Sequence, residues 1–334
     1  MTVTSQNVTS RPSDATSPYS AVASGLINGL LSIKPLANFA KNRARNMMMD
    51  RAESLGVHWR DEVKTLQARG TSDEINPAWE RELAAIASPN IHYPAYYTTS
   101  FHAYDEGNLG WLPAMEVDVA ARAVHARIWP VGDVRAGVLG DESLRQSYHD
   151  VLREVLPAAP QQIVDLGVGA GRSTFTLQKT FPAAQLIGVE LSPYFLAVAQ
   201  HAERQRLAQG DAANPIRWLH AAAEDTGLPA ASVDLVSACL VFHELPTSAA
   251  QDILAEAHRL LRPSGHFAIM DMNPSSDAYA TMPPYILTLL KSTEPYLDQY
   301  FALDMTAAFQ AAGFSEPRIV TNSPRHRTIV GQKI

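Results

Sequence analysis

A chain of 334 residues, 46% hydrophobic and 18% charged, is long enough for one large domain with additions or for two, and has the ordinary composition of a soluble globular enzyme. Its formal charge of −7 leaves no global excess of positive charge for phosphates, which argues against a nucleic-acid partner and for a small-molecule substrate. The single cysteine, Cys239, excludes an internal disulfide and a multi-cysteine metal site, so no metal is expected and a reducing, cytoplasmic location is.

Residues 1–20 are rich in Ser, Thr and Pro and poor in large apolar side chains, the composition of a disordered tail. The apolar run Ala21–Ile33 has the length of a signal-peptide core, but Lys34-Pro35 follow it instead of a small-residue cleavage site; a helix or turn packed on the domain is the preferred reading. A helical pattern runs from Pro35 to about Leu55 and carries Lys41, Arg43, Arg45 and Arg51. Such a helix either turns a solvated basic face outward or touches an anionic membrane surface. Further helices are expected over Trp59–Ala68 and Pro77–Ala87. Residues 21–156 thus form an α-helical N-terminal cap.

Within that cap, Asn90–Trp111 holds Tyr93, Tyr96, Tyr97, Phe101, His102, Tyr104 and Trp111 among Pro94 and two glycines. It reads as an aromatic loop, either a lid that closes over substrate or a plug joining the helices to the core. Helices over Leu112–Ile128 and Asp141–Leu156 complete the cap, and Pro157 and Pro160 mark the boundary with a second domain, 157–334.

That domain opens with Ile163-Val164-Asp165-Leu166, a short apolar run suited to a buried strand. Gly167, Gly169 and Gly171 follow, then a helical pattern with Phe175, Leu177 and Phe181 on one side. A glycine turn feeding a helix brings the backbone close to a ligand and aims free N–H groups at it. The next strand, Gln185–Val189, ends in Glu190, whose carboxylate can accept hydrogen bonds from both hydroxyls of a ribose. A dinucleotide fingerprint needs its third glycine at position 172, which is Arg172, so a nicotinamide-dependent oxidoreductase is disfavoured.

The pattern D-x-G-x-G-x-G over Asp165–Gly171, with Glu190 closing the second strand, resembles the class I S-adenosylmethionine-dependent methyltransferases from about Gln161 to the C-terminus. The resemblance implies an α/β fold: a Rossmann-like, seven-stranded sheet with a final antiparallel hairpin, here Glu316–Val320 and Thr328–Gln332. It implies S-adenosylmethionine as cofactor, its amino-acid part cradled by the glycine turn and its ribose held by Glu190. It also places an acidic segment beside the adenine, here Ala221–Val236 with Glu224 or Asp225 at the adenine amino group. Asp165, Leu191, Ala223 and Cys239 fall at the same strand ends and complete the expected cofactor-binding set.

Strands over Ile216–His220, Val233–Cys239 and His266–Met270 alternate with helices, the helix over Ala249–Leu261 stopping at Arg262-Pro263-Ser264-Gly265. Ligands of such sheets bind beyond the carboxyl ends of the strands. Leu240–Pro246, with His243 and Glu244, resembles the corresponding segment of the subgroup that includes the ubiquinone and menaquinone biosynthesis methyltransferases. His243 is the leading candidate general base, since an imidazole titrates near neutral pH; its alternative is a structural histidine. Glu244 is expected to orient His243 or bind a substrate hydroxyl. Asp271 either binds substrate or caps a turn, and Tyr97 and His102 of the loop are weaker catalytic candidates. Thr281–Phe301 supplies an apolar wall, so the expected acceptor is a small, partly apolar molecule, aromatic or prenylated, methylated on oxygen or carbon. A cofactor-binding regulatory protein without turnover is the alternative.

Overall fold

The computed structural model describes residues 34–72, 74–100, 104–211 and 214–334. The expected tail over 1–20, the apolar run 21–33 and His102 lie outside the described residues.

Seven strands form one sheet in the order β3-β2-β1-β4-β5-β7-β6: β1 (Gln162–Leu166), β2 (Gln185–Glu190), β3 (Arg217–His220), β4 (Val233–Cys239), β5 (Leu261–Met272), β6 (Arg318–Thr321) and β7 (His326–Gln332). The first five run parallel, and β7 inserts antiparallel between β5 and β6, as the resemblance implies. β1 pairs with β2 on one side and β4 on the other. The strand order reverses there, which opens a crevice at the carboxyl ends of these strands.

One sequence expectation fails. Arg262-Pro263-Ser264-Gly265 is part of β5, not a loop before it. The helix ends at Leu260 and the strand begins at once, with a register shift against Val233 and Leu235 and a left-handed Ser264 at φ 65° absorbing the turn signals. A bulged strand tolerates Pro and Gly where a regular one does not.

Both sheet faces are covered, so the strands are apolar on both sides. On one face, α5 (Gly140–Val155) buries Leu144, Tyr148 and Leu152 with Ile163, Leu235 and Met270; the Tyr148 hydroxyl pairs with Ser237 Oγ at 3.0 Å. On the other, α8 (Thr247–Leu260) buries Ile253, Leu254 and Ala257 with Val164, Val236 and Phe267. α6 (Arg172–Thr180) follows the glycine turn. α7 (Pro193–Ala208) follows β2 and is capped by Ser192, which accepts from Phe195 N, with Pro193 at its first position.

A third apolar cluster joins the N-terminal helices to this frame. α1 (Lys34–Ser54), α2 (Trp59–Ala68), α3 (Ala78–Ile86) and α4 (Trp111–His125) contribute Met49, Trp59, Trp79, Met115 and Val119, packed with Phe195, Ala197 and Val198 of α7 and with Ala170 of the glycine turn. Burial of these large side chains fixes the cap directly over the turn. In α1, Arg45 pairs with the buried Glu116 of α4, so this part of the expected basic face is turned inward. No helix among the described residues is long and apolar enough to cross a membrane.

Candidate active site

The glycine turn is built as its spacing predicts. Gly167, Gly169 and Gly171 have φ of 66°, 54° and 86°, values that side-chain-bearing residues rarely adopt. A Cβ on Gly167 would meet Val241 at 2.7 Å and one on Gly171 would meet Trp218 at 2.9 Å, whereas a Cβ on Gly169 would have only Phe195, at 4.0 Å. Gly169 therefore borders open space, as a residue against a ligand should. Beneath the turn, Thr174 donates to Asp165 Oδ2 at 2.7 Å while Asp165 Oδ1 is buried without a partner, and burial raises the carboxyl pKa to about 6. Asp165 thus anchors the turn from below.

Glu190, at the end of β2, is buried. Its Oε2 accepts from Gly169 N at 2.9 Å and its Oε1 from Ser192 N at 2.8 Å. Burial pushes its pKa upward against these hydrogen bonds. A third donor reaches Oε1: the Tyr97 hydroxyl, at 2.9 Å. The neighbouring Tyr96 donates to Glu224 Oε1 at 2.7 Å. Two successive tyrosines of the aromatic loop thus contact the two acids expected at ribose and adenine. Just before the loop, Ser88 N–H donates to His220 Nδ1 at 2.7 Å, and near its end the Asn108 carbonyl accepts from Ser192 Oγ at 2.7 Å. His220 Nε2 faces the Leu191 carbonyl at 2.9 Å; a ring that accepts at Nδ1 and donates at Nε2 is neutral, in keeping with the downward shift that burial gives it.

Sequence reasoning missed these ties because the partners lie far apart in the chain, 93 residues for Tyr97 and Glu190 and 128 for Tyr96 and Glu224. Tyr97 sits at Glu190, and burial followed by the Glu190 charge holds its phenol well above the ordinary value; it carries its proton at neutral pH. Asp225 is exposed. Cys239 is buried, its Sγ 3.6 Å from Arg145 Nη1, so contact with a cofactor would fall to its backbone.

At the carboxyl end of β4, Leu240 adopts φ 61° and a short 3-10 turn, Phe242–Glu244, follows. This turn sets His243 against β5. Its Nδ1 lies 2.7 Å from Asp271 Oδ1, and its backbone N–H donates to Asp271 Oδ2 at 3.2 Å. Nε2 is 4.0 Å from Glu244 Oε1. Burial opposes charge on the imidazole, but the Asp271 carboxylate overrides it, with further support from Glu294 and Glu244, and raises the pKa to about 10. Asp271 is fully buried, yet the His243 charge and hydrogen bonds hold its pKa below the ordinary value. Sequence reasoning placed both residues at strand ends but left their pairing open.

The linkage has a definite sign. A histidine raised from 6.5 to about 10 contributes stability that is complete below pH 6.5 and is lost as pH rises through about 10. The depressed Asp271 contributes above its unfolded pKa and loses that contribution as pH falls through its folded one. Asp271→Asn is therefore expected to lose most stability in mildly acidic to neutral solution and little near pH 10, read as the difference in Tm between the two proteins across pH. An equal difference at all pH would show that the pair is not charged.

The fold and the glycine turn define a nucleoside-binding α/β domain, and Arg172 shows which kind it is not. It stands where a dinucleotide fingerprint has its third glycine, and its guanidinium pairs with the buried Asp141 at 2.7 Å and with Asp118. Residues 164–269 match the family described as methyltransferase domain. An uncharacterized methyltransferase of Synechocystis sp. is 28% identical over 52% of this chain and 76% of its own length. Trans-aconitate 2-methyltransferase of Azoarcus sp. is 37% identical over 39% of this chain and 46% of its own, and demethylmenaquinone methyltransferase of Thermus thermophilus is 27% identical over 36% and 50%. The chain thus spans about half the length of the latter two. Over residues 164–269 it is therefore similar to methyltransferase domains, and its sheet order with an antiparallel β7 is the one expected of the S-adenosylmethionine-dependent class.

Proposed function

We propose that this protein transfers a methyl group to an oxygen or carbon of a small, partly apolar molecule, and that His243 holds the acceptor as its oxygen anion. Bound S-adenosylmethionine would supply an electrophilic methyl on its sulfonium. The open side of Gly169 and the Glu190 carboxylate fit it. Displacement at that methyl needs an aligned and electron-rich acceptor, and alignment is the protein's main contribution.

The observation that carries the reading is the His243–Asp271 pair at the carboxyl ends of β4 and β5, with Nδ1 to Oδ1 at 2.7 Å. An imidazole whose pKa is about 10 carries both protons at neutral pH. It is then a hydrogen-bond donor through Nε2, suited to an acceptor that binds already ionised with its proton lost to solvent, such as a carboxylate, an acidic phenol or the enolate of a 1,3-dicarbonyl, and only its minor neutral form can act as the general base expected from sequence. Asp271 positions the ring and maintains its charge. The apolar wall comes from α9 (Asp277–Ala280), α10 (Pro284–Thr293) and α11 (Leu297–Ala302), where Tyr279, Leu290 and Phe301 pack against the buried core. Incubating the protein with methyl-labelled S-adenosylmethionine and matched phenols, enolisable ketones, carboxylic acids and amines tests the proposal. Label is expected on the ionisable oxygen compounds or their adjacent carbons; label confined to amines would refute it.

The Tyr97 hydroxyl already sits on Glu190, the acid proposed for the ribose. As a lid, the loop must shift or share this carboxylate when the cofactor enters. Tyr97→Phe removes a competing hydrogen bond, for which the net value is about 1 kcal/mol, and is expected to tighten S-adenosylhomocysteine binding by roughly fivefold in calorimetry. Weaker binding would mean that the hydroxyl helps to hold the cofactor.

A further inference from the structure

The segment between α4 and α5 is a closed loop with an apolar outer face. Gly137 N donates to Ala126 O at 2.8 Å and closes its base; Asp133 N to Pro130 O at 3.1 Å and Ala136 N to Asp133 O at 3.0 Å hold its interior. Ile128 and Trp129 are buried beneath it. The Arg135 guanidinium lies 5.1 Å from the Trp129 ring centroid and pairs with Asp133 Oδ2 at 2.7 Å. On this anchored frame Val131 is 103% exposed and Val134 86%, followed by Val138 and Leu139 at about half. Single exposed apolar residues are ordinary, but four within nine positions of one well-tied loop are a patch.

The base of the loop is basic. Arg127 is exposed, and Arg325, in the turn before β7, donates from Nη2 to the Arg127 carbonyl at 3.2 Å. α1 reaches the same place: a Cβ on Gly56, just after this helix, would lie 3.4 Å from Val138. Its Arg51 feels burial and the positive charges of Arg127 and Arg325, all lowering its pKa. None of these three arginines has a carboxylate partner among the described residues, whereas the loop's own acid, Asp133, is taken by Arg135. The nearest unpaired acid along the chain is the exposed Glu142 in the first turn of α5.

We propose that the Val131–Leu139 face and the Arg51, Arg127 and Arg325 cluster together form a docking surface for an anionic lipid bilayer. Exposed valines partition into the acyl boundary while adjacent guanidinium groups meet lipid phosphates, the two signals that reversible membrane attachment requires. A free phosphate would satisfy the arginines and leave the valines without a purpose. The surface also lies at the acceptor end of the sheet, since Asn273, two residues beyond Asp271, donates its N–H to the Arg325 carbonyl at 2.8 Å. Delivery of an apolar acceptor from the bilayer rests on the function proposed above; attachment itself does not.

Cosedimentation of the full chain with phosphatidylcholine vesicles, with and without phosphatidylglycerol, tests this without any methyl acceptor. The protein is expected to pellet only with the anionic vesicles, and less so in high salt. Val131→Ser with Val134→Ser should lower the partition coefficient by roughly tenfold or more, and Arg127→Gln or Arg325→Gln by about fivefold each. Tm and S-adenosylhomocysteine affinity should remain those of the parent. Absence of pelleting, equal pelleting with neutral vesicles, or parental pelleting of the double valine variant would overturn the proposal. A dimer in sedimentation velocity that the double valine variant dissolves, without vesicle binding, would assign the face to a second copy instead.

Discussion

Replacing His243 by alanine is expected to lower kcat by roughly 10²–10³-fold, the usual effect of removing one preorganised donor from a charge-stabilising site, while S-adenosylhomocysteine affinity stays near that of the parent. The side chain contacts Asp271 and approaches Glu244, not the glycine turn or Glu190, so cofactor binding should not depend on it. The pH dependence separates the two possible roles. An imidazolium donor loses activity as pH rises through a pKa near 10, and Asp271→Asn, which removes the leading cause of that elevation, should move the loss toward the ordinary histidine value. A base gains activity over the same interval. A rate that climbs with pH in the parent, and whose inflection drops in Asp271→Asn, would return His243 to general-base catalysis.

Glu190→Ala should weaken S-adenosylhomocysteine binding by one to two orders of magnitude, roughly what losing charge-assisted hydrogen bonds costs. The structure adds a reason for the upper part of that range. The same carboxylate accepts from Gly169 N and Ser192 N, so the variant also leaves one buried and one half-buried backbone donor without this acceptor and loosens the glycine turn. Glu190→Gln keeps an acceptor oxygen for one donor and should fall between parent and alanine. Equal affinity of all three proteins in calorimetry would remove Glu190 from the cofactor site.

Much of this architecture is legible in the order of residues because its causes are local. Alternating apolar runs and helical patterns call for a doubly covered sheet, positive φ at Gly167, Gly169 and Gly171 calls for glycine, and Ser192-Pro193 starts a helix by satisfying its first free N–H groups. Where local rules misled, as at Arg262–Gly265, the sheet overrode them: Leu261 and His266 on either side pair with β4, and Ser264 N and Gly265 O bond to Lys333 just beyond β7, which keeps turn-forming residues in a bulged strand.

The candidate site was only half legible, for a different reason. Glycine spacing and an acid at a strand end announce a nucleoside ligand, since backbone conformation and ligand approach impose them at short range. Nothing local announces that Tyr97 meets Glu190 or that His243 meets Asp271, across 93 and 28 residues. Those contacts arise from where helices and strands pack, and they control proton affinity, because the charge on a buried imidazole depends on which carboxylate stands beside it. Residue order carried the class of chemistry; the approach of distant side chains decided which groups hold protons and which part of the chain covers Glu190.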